Sequence, residues 1–376
     1  MRAGFAFRIS ARDGAARAGR LETPHGAIDT PAFMPVATYG AVRGLAPQEL
    51  RAVGAQILLA NTYHLHERPG EKTVETLGGL HGFTSWHGPW LTDSGGYQVT
   101  SLADRLEVSE EGVAFRSPLD GRTRLLSPES AMQIQQALGP DIAMMLDECV
   151  PARNGDPDAE ARARAATERT LRWAERSFAA HSRADQALFG IVQGGASETL
   201  RRESARATAA IGFDGYAHGG LGLGEERAQR SDLVARVHDE LPEASPRYLM
   251  GLGRPADLLD GIAAGVDLFD CVLPTRHARH GVLFTSQGLL RMRNTRHRDD
   301  AAAPDPDCDC PLCRGHSRAY LAHLLRSGEA LGARLASLHN LRFYLHLLER
   351  ARDAIAAGTL AALRSELDAA YSDPVG

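Results

Sequence analysis

Two aspartates and three clustered cysteines are the residues of this sequence whose types and spacing could do chemistry. Asp270 closes the apolar run Asp267-Leu268-Phe269 and leads into Cys271-Val272-Leu273-Pro274. A carboxylate among such neighbours is poorly solvated, and burial penalises its charged form. Asp93 lies in Thr92-Asp93-Ser94-Gly95-Gly96-Tyr97-Gln98-Val99. There an acid leaves a strand, a double glycine lets backbone approach a ligand, and an aromatic follows. Two carboxylates in unlike surroundings suit displacement at a sugar carbon. One attacks or shields an oxocarbenium-like centre and the other moves protons. Asp267 competes with Asp270, but it stands before the run rather than at its end.

The cysteines point to a metal. Cys308-Asp309-Cys310-Pro311-Leu312-Cys313 sets three thiols at C-x-C-x-x-C spacing, which can wrap one tetrahedral zinc ion. The fourth ligand must come from elsewhere. His339, in Ser337-Leu338-His339-Asn340, is our choice; His316 and His323 are nearer, and spacing leaves the three open. Three thiolates and a histidine leave no vacant coordination position, so the expected role is structural. With Cys149 and Cys271 the cysteine count is five, an odd number that disfavours a disulfide framework. A zinc-deaminase reading fails. Its H-x-E is met only by His238-Asp239-Glu240, inside an expected helix, and P-C-x-x-C is absent.

Between Cys271 and Arg298 there are six arginines, Arg276, Arg279, Arg291, Arg293, Arg296 and Arg298, and no acid. A one-sign run is often just a solvated face. This one follows the candidate nucleophile directly, so it reads as a phosphate footprint beside the site, which a polynucleotide substrate would explain. The whole chain carries a net charge of −5, which argues against a generally basic coat but not against a local patch.

These residues need elements to hold them. Short apolar runs cover Pro31–Val36, Gln56–Ala60, Trp90–Thr92, Ile142–Leu146, Leu188–Val192, Gly215–Ala217, Tyr248–Met250 and Asp267–Phe269. Helical patterns follow at Pro47–Val53, Glu67–Leu77, Pro128–Ala137, Asp158–Ala180, Ser197–Ala210, Glu225–Glu240 and Pro255–Ala264. Ser127-Pro128-Glu129 and Arg254-Pro255-Ala256-Asp257 are good helix starts. Eight such alternations, without a G-x-G-x-x-G opening a helix, predict an α/β fold of the (β/α)8 TIM-barrel type rather than a dinucleotide-binding sheet. Within one barrel domain over 1–376, residues 1–30 read as a β cap, 101–126 as an inserted β-hairpin and 284–340 as a zinc-binding subdomain. The residues at the strand ends would be Asn61, Asp93, Asp147, Gln193, Gly219-Gly220, Gly251 and Asp270. Any one of them can be a helix cap; converging together they define a polar site.

The chain is 376 residues long and 43% hydrophobic, ordinary globular composition that excludes disorder, collagen and coiled coil. No apolar run reaches membrane-span length, and Met1–Ser10 carries no signal-peptide core, so a cytoplasmic protein is expected. All but one of the 42 basic residues are arginine, Lys72 being the exception, a bias we assign to a GC-rich genome.

In order along the chain, Thr92–Val99, Phe213-Asp214-Gly215-Tyr216, Gly219-Gly220-Leu221, Tyr248-Leu249-Met250-Gly251, Phe269–Arg276 and the C-x-C-x-x-C with its distant His-Asn resemble the bacterial tRNA-guanine transglycosylases. The likeness runs from Pro31 to Tyr344. It implies a zinc-bearing (β/α)8 barrel that exchanges guanine at the anticodon wobble position of GUN tRNAs for the 7-deazaguanine preQ1, in queuosine biosynthesis. It implies a covalent double displacement with Asp270 as nucleophile at the ribose C1′ and Asp93 as general acid/base. It assigns base contacts to Asp147, Cys149, Gln193, the Gly220 N–H and the Leu221 carbonyl, with Glu225 supporting that peptide. Tyr97 and Met250 would flank the base, Arg276 and Arg279 would hold the anticodon loop, and Cys308, Cys310, Cys313 and His339 would bind one structural Zn2+. A homodimer contact through Tyr320, with His316 and His323 in the same helix, is also implied. The chain departs from the pattern at Gly222 and Leu223; bulky Leu223, with Cys149, favours a small base. Two other functions compete. One is a non-catalytic tRNA-binding zinc barrel, which would not need both Asp93 and Asp270. The other is a nucleoside glycosidase, which would not need the arginine run.

Overall fold

The computed structural model describes residues 2, 4–97, 106–150 and 158–371. Gln98 and Val99, and residues 101–105 of the expected insertion, lie outside them. Three antiparallel strands come first: β1 (Ala6–Asp13), β2 (Ala16–Thr23) and β3 (Gly26–Thr30). They fill the span expected to be a β cap. Then come β4 (Ala32–Pro35), β5 (Leu58–Asn61) and β6 (Trp90–Asp93). Where a hairpin insertion is expected, a second three-stranded sheet, β7 (Leu106–Val108), β8 (Val113–Arg116) and β9 (Thr123–Leu126), interrupts the series. The series resumes with β10 (Ile142–Met144), β11 (Ala187–Val192), β12 (Gly215–His218), β13 (Arg247–Leu249) and β14 (Leu268–Cys271).

Strands β4, β5, β6 and β10 to β14 form one eight-stranded parallel sheet, each beside its neighbour in the series. The sheet closes on itself where Val36 bridges Leu59 and the Ala37 N–H donates to the Leu59 carbonyl at 2.7 Å. This is the expected (β/α)8 barrel. Every barrel-strand residue except Asp270 is buried, which is why these strands read as unbroken apolar runs rather than as alternating ones.

Local chemistry sets the helix limits. Ser127 caps the helix Pro128–Leu138 by accepting from the Ser130 N–H, and Gly139 ends it in a left-handed conformation. The expected helix Glu67–Leu77 is instead two, Thr62–Glu67 and Glu71–Thr76. Pro69 cannot continue the first, and Gly70 turns the chain with φ 98°. Four strands, β5, β6, β12 and β14, end later than their apolar runs, while β4, β10 and β13 end earlier. Asn61, Asp93 and Asp270 belong to β5, β6 and β14, and Asn61 pairs in register with Asp93.

Beyond β14 lie the helix Leu273–Arg279, the hairpin β15 (Val282–Thr285) and β16 (Gly288–Arg291), and the helices Pro311–Gly315 and Arg318–Ser327. A small core of its own, including Leu283, Met292, Leu312 and Leu321, holds this part together. Residue 340 falls inside the continuous 28-residue helix Ala330–Ala357, not at an element boundary. One stretch of that helix supplies His339 and Asn340 to the cysteine region; further along, Leu341, Tyr344 and Leu348 join the barrel core. No helix among the described residues is long and apolar enough to cross a membrane.

Candidate active site

The carboxyl ends of the strands enclose a cavity of about 300 Å³. Asp93, Tyr97, Asp147, Cys149, Gly220, Leu221, Met250 and Asp270 all line it. Gln193 and Glu225 do not; they stand behind the wall.

Asp93 is 8% exposed. Asn61, its register partner, donates Nδ2–H to Oδ2 at 2.7 Å, and the Thr62 N–H donates to Oδ1 at 3.1 Å. Burial, together with the nearby Asp270 charge, outweighs these bonds and pushes its pKa up to about 7. Asp270 accepts from the Tyr248 hydroxyl at 2.6 Å and from the Gly251 N–H at 2.7 Å, both on Oδ1. Among the described residues no hydrogen bond ends on Oδ2. Burial raises its pKa as well, and the two donors oppose that rise. Tyr248 is itself buried, and burial beside Asp270 keeps its phenol protonated as a donor.

Asp147 is 6% exposed, and burial lifts its pKa to about 6. Gln193 donates Nε2–H to its Oδ2 at 2.6 Å and Ser94 donates to Oδ1 at 3.4 Å. Gln193 thus aims Asp147 rather than forming the wall. Glu225 accepts from the N–H groups of Gly222 and, at 3.2 Å, Leu223, and pairs with Arg230 at 2.9 Å. Burial works against its charge, but these donors hold its pKa below the usual range. Because the Gly222 N–H is turned to Glu225, the Leu221 carbonyl of the same planar peptide faces the opposite way. Burial pushes the Cys149 thiol up to about 12, so it stays protonated.

Arg276 and Arg279 lie on the helix that starts two residues after β14. Burial and the neighbouring charges of Arg43 and Arg276 lower the pKa of Arg279, which places three guanidinium groups in one field. Arg43 carried no signal in the sequence, since it sits alone in a loop far from the others. Tyr248 was also missed: its strand reads as apolar, and its hydroxyl reaches a neighbouring strand.

The cysteine cluster resolves the fourth-ligand question in geometry. The ligand atoms of Cys308, Cys310, Cys313 and His339 lie within 4.8 Å of one another, a set that could hold a metal ion. His339 Nδ1 is 3.5 Å from Cys310 Sγ and 3.3 Å from Cys313 Sγ. Its other nitrogen, Nε2, lies 2.8 Å from the Phe284 carbonyl, which fixes Nδ1 as the lone-pair side. His316 lies outside the helix Arg318–Ser327 that carries Tyr320 and His323, ending Pro311–Gly315 in an extended conformation and packing against Tyr320, and His323 is not part of the group. A larger cavity, about 430 Å³, adjoins the cluster, but charged groups on its wall are matched, Asp309 with Arg342 and Glu366 with Arg350.

Fold and site together define a (β/α)8 barrel with acidic groups of raised pKa at its catalytic rim and a Cys3His cluster beside it. A sequence model of the family described as queuine tRNA-ribosyltransferase matches residues 13–373. The queuine tRNA-ribosyltransferase of Shewanella frigidimarina (strain NCIMB 400) is 51% identical over 371 residues, 98% of each chain. That of Shewanella baltica (strain OS155 / ATCC BAA-1091) is 52% identical over 356 residues, 94% of each chain. The chain belongs to the queuine tRNA-ribosyltransferase family, whose members are pentosyltransferases.

Proposed function

We propose that this protein exchanges guanine at the wobble position of GUN tRNAs for preQ1 by two displacements at the ribose C1′. The observation that carries the reading is the pair Asp93 and Asp270, facing one cavity with raised pKa values and, among the described residues, no cationic side chain paired with either. Asp270 Oδ2, the oxygen left clear by Tyr248 and Gly251, attacks C1′ while the C1′–N9 bond breaks. The electron pair leaves with guanine, and Asp93 in its acid form supplies the proton. A pKa of about 7 lets Asp93 hold that proton and afterwards accept one from the incoming base. The incoming nitrogen then attacks C1′ and releases the Asp270 carboxylate.

The base lies between Tyr97 and Met250, a ring and a thioether that supply dispersion. Asp147 accepts from its N1–H and amine, the Gly220 N–H donates to its carbonyl, and the Leu221 carbonyl receives the aminomethyl group. Cys149 fills the wall, and Leu223 limits the room. Arg276 and Arg279 hold the anticodon-loop phosphates. Cys308, Cys310, Cys313 and His339 would hold one Zn2+ whose closed coordination fixes the subdomain. Tyr320, 39% exposed, marks the face of a homodimer.

Base exchange tests the proposal. Unmodified GUN tRNA and labelled guanine are mixed with the protein, with and without preQ1. Label should enter the RNA and be suppressed by preQ1. Binding without label entry would favour a non-catalytic barrel. The purified protein should also carry about one zinc per chain, lost with stability in Cys310→Ala; full zinc in that variant removes Cys310 as a ligand.

A further inference from the structure

One cation behind the cavity has no part in the chemistry above. Arg201, on the helix Glu198–Ile211, is 0% exposed. Its Nε–H donates to the Gly195 carbonyl at 2.6 Å and its Nη2–H to the Gly219 carbonyl at 2.8 Å, while Nη1 has no hydrogen-bond partner among the described residues. Burial lowers its pKa to about 10, which still leaves it charged at neutral pH. Glu225 acts on Arg201 through space, but the described hydrogen bonds of Arg201 go to carbonyls and not to a carboxylate; a guanidinium buried in this way is costly, so its position calls for a use.

The carbonyl it grips belongs to the Gly219–Gly220 peptide. In a trans peptide the C=O and N–H point opposite ways. Arg201 holds the carbonyl side inside the wall, so the Gly220 N–H is turned the other way, and Gly219 and Gly220 line the cavity. The peptide has little freedom to turn. The Gly219 N–H donates to the Val192 carbonyl at 3.1 Å. A Cβ on Gly219 would stand 2.6 Å from Gln193 Nε2, and one on Gly220, where φ is +66°, 2.4 Å from Gln193 Oε1. A positive charge on a peptide oxygen draws density from the nitrogen and strengthens the N–H as a donor.

We infer that Arg201 is a positioning residue, which fixes and polarises the Gly219–Gly220 peptide so that the Gly220 N–H meets the carbonyl oxygen of a 6-oxopurine base. The same charge supports that oxygen as the base departs with its electron pair. This rests on the base-binding reading above.

The test is the affinity of Arg201→Lys for guanine and for 6-thioguanine, which offers a weak sulfur acceptor in place of the oxygen. The wild type should prefer guanine, and the variant should lose about tenfold in guanine affinity while 6-thioguanine affinity falls far less. Equal losses for both bases would overturn the role of Arg201 and leave it a packing residue. A wild type that takes the two bases alike would instead overturn the Gly220 contact itself. Should the variant not fold, the unmodified protein labelled with 15N-arginine gives the same answer. The buried guanidinium signal of Arg201 should move on adding guanine more than on adding 6-thioguanine, and equal movement overturns the proposal.

Discussion

Both rims of the barrel bury aspartates, and they treat them differently. At the amino ends of the strands, Asp267 is gripped by Arg17, with Nε to Oδ1 at 2.9 Å and Nη2 to Oδ2 at 2.5 Å. Asp141 meets His25 at 2.9 Å, His81 at 3.2 Å and the Trp90 N–H at 2.9 Å. At the carboxyl ends, the hydrogen bonds described for Asp93, Asp147 and Asp270 come from amides, hydroxyls and backbone N–H groups, all neutral. Burial penalises all five acids. Below, His81, the Trp90 N–H and His25 carry the Asp141 pKa under its ordinary value, and the Arg17 charge opposes the rise that burial still leaves on Asp267; above, only neutral donors among the described residues oppose the raised pKa values of Asp93, Asp147 and Asp270. Paired acids build the barrel, and unpaired ones are left to meet a substrate.

The sharpest break of this comparison is Asp270→Asn. An amide cannot serve as the nucleophile, so exchange should fall by roughly four orders of magnitude or more while tRNA binding persists. Turnover and a filter-binding assay on the same sample check both halves. Asp93→Asn should cost roughly 10²–10⁴-fold in exchange and remove an inflection near pH 7 from the kcat/KM profile. At the lower rim, Arg17→Met strands the Asp267 charge and should cost about 3–5 kcal/mol in urea unfolding. Its exchange rate per folded molecule should match wild type; a stable, inactive Arg17→Met would erase the distinction between the rims.

The smallest effect is in pH. Asp93 has a folded pKa raised from 3.8 to about 7. The stability it contributes is therefore complete below pH 3.8 and lost as the pH rises through about 7. Asp141 has a lowered pKa: burial opposes its charge, but His81, the Trp90 N–H and His25 outweigh it. Its contribution is present above the ordinary carboxylate pKa and lost as the pH falls through its folded value. Melting curves of wild type, Asp93→Asn and Asp141→Asn from pH 3 to 8 should show opposite trends in the two differences. Parallel trends would mean that the rims do not differ.

Much of the barrel is legible in the sequence because a strand buried on both sides leaves an unbroken apolar run, and the acid that ends the run marks the rim. Asp267 and Asp270 are three residues apart, yet the run between them assigns them to opposite rims. What reaches across the fold is not legible. Tyr248 and Asp270 sit on adjacent strands, Arg201 grips a carbonyl from another loop, and His339 comes from a helix that starts well after the cysteines. Spacing orders ligands only when the chain between them is short. The break at Pro69-Gly70 was written in the residues, but the helical pattern around it obscured it.

The central claim is that Asp270 carries the ribose during exchange. The direct measurement is to mix the protein with GUN tRNA, remove released guanine, quench in denaturant and map any protein–RNA adduct by mass spectrometry. The account predicts an adduct on the peptide containing Asp270, formed by wild type and by Arg17→Met and absent in Asp270→Asn. An adduct on another residue, or exchange that continues in Asp270→Asn, would contradict it.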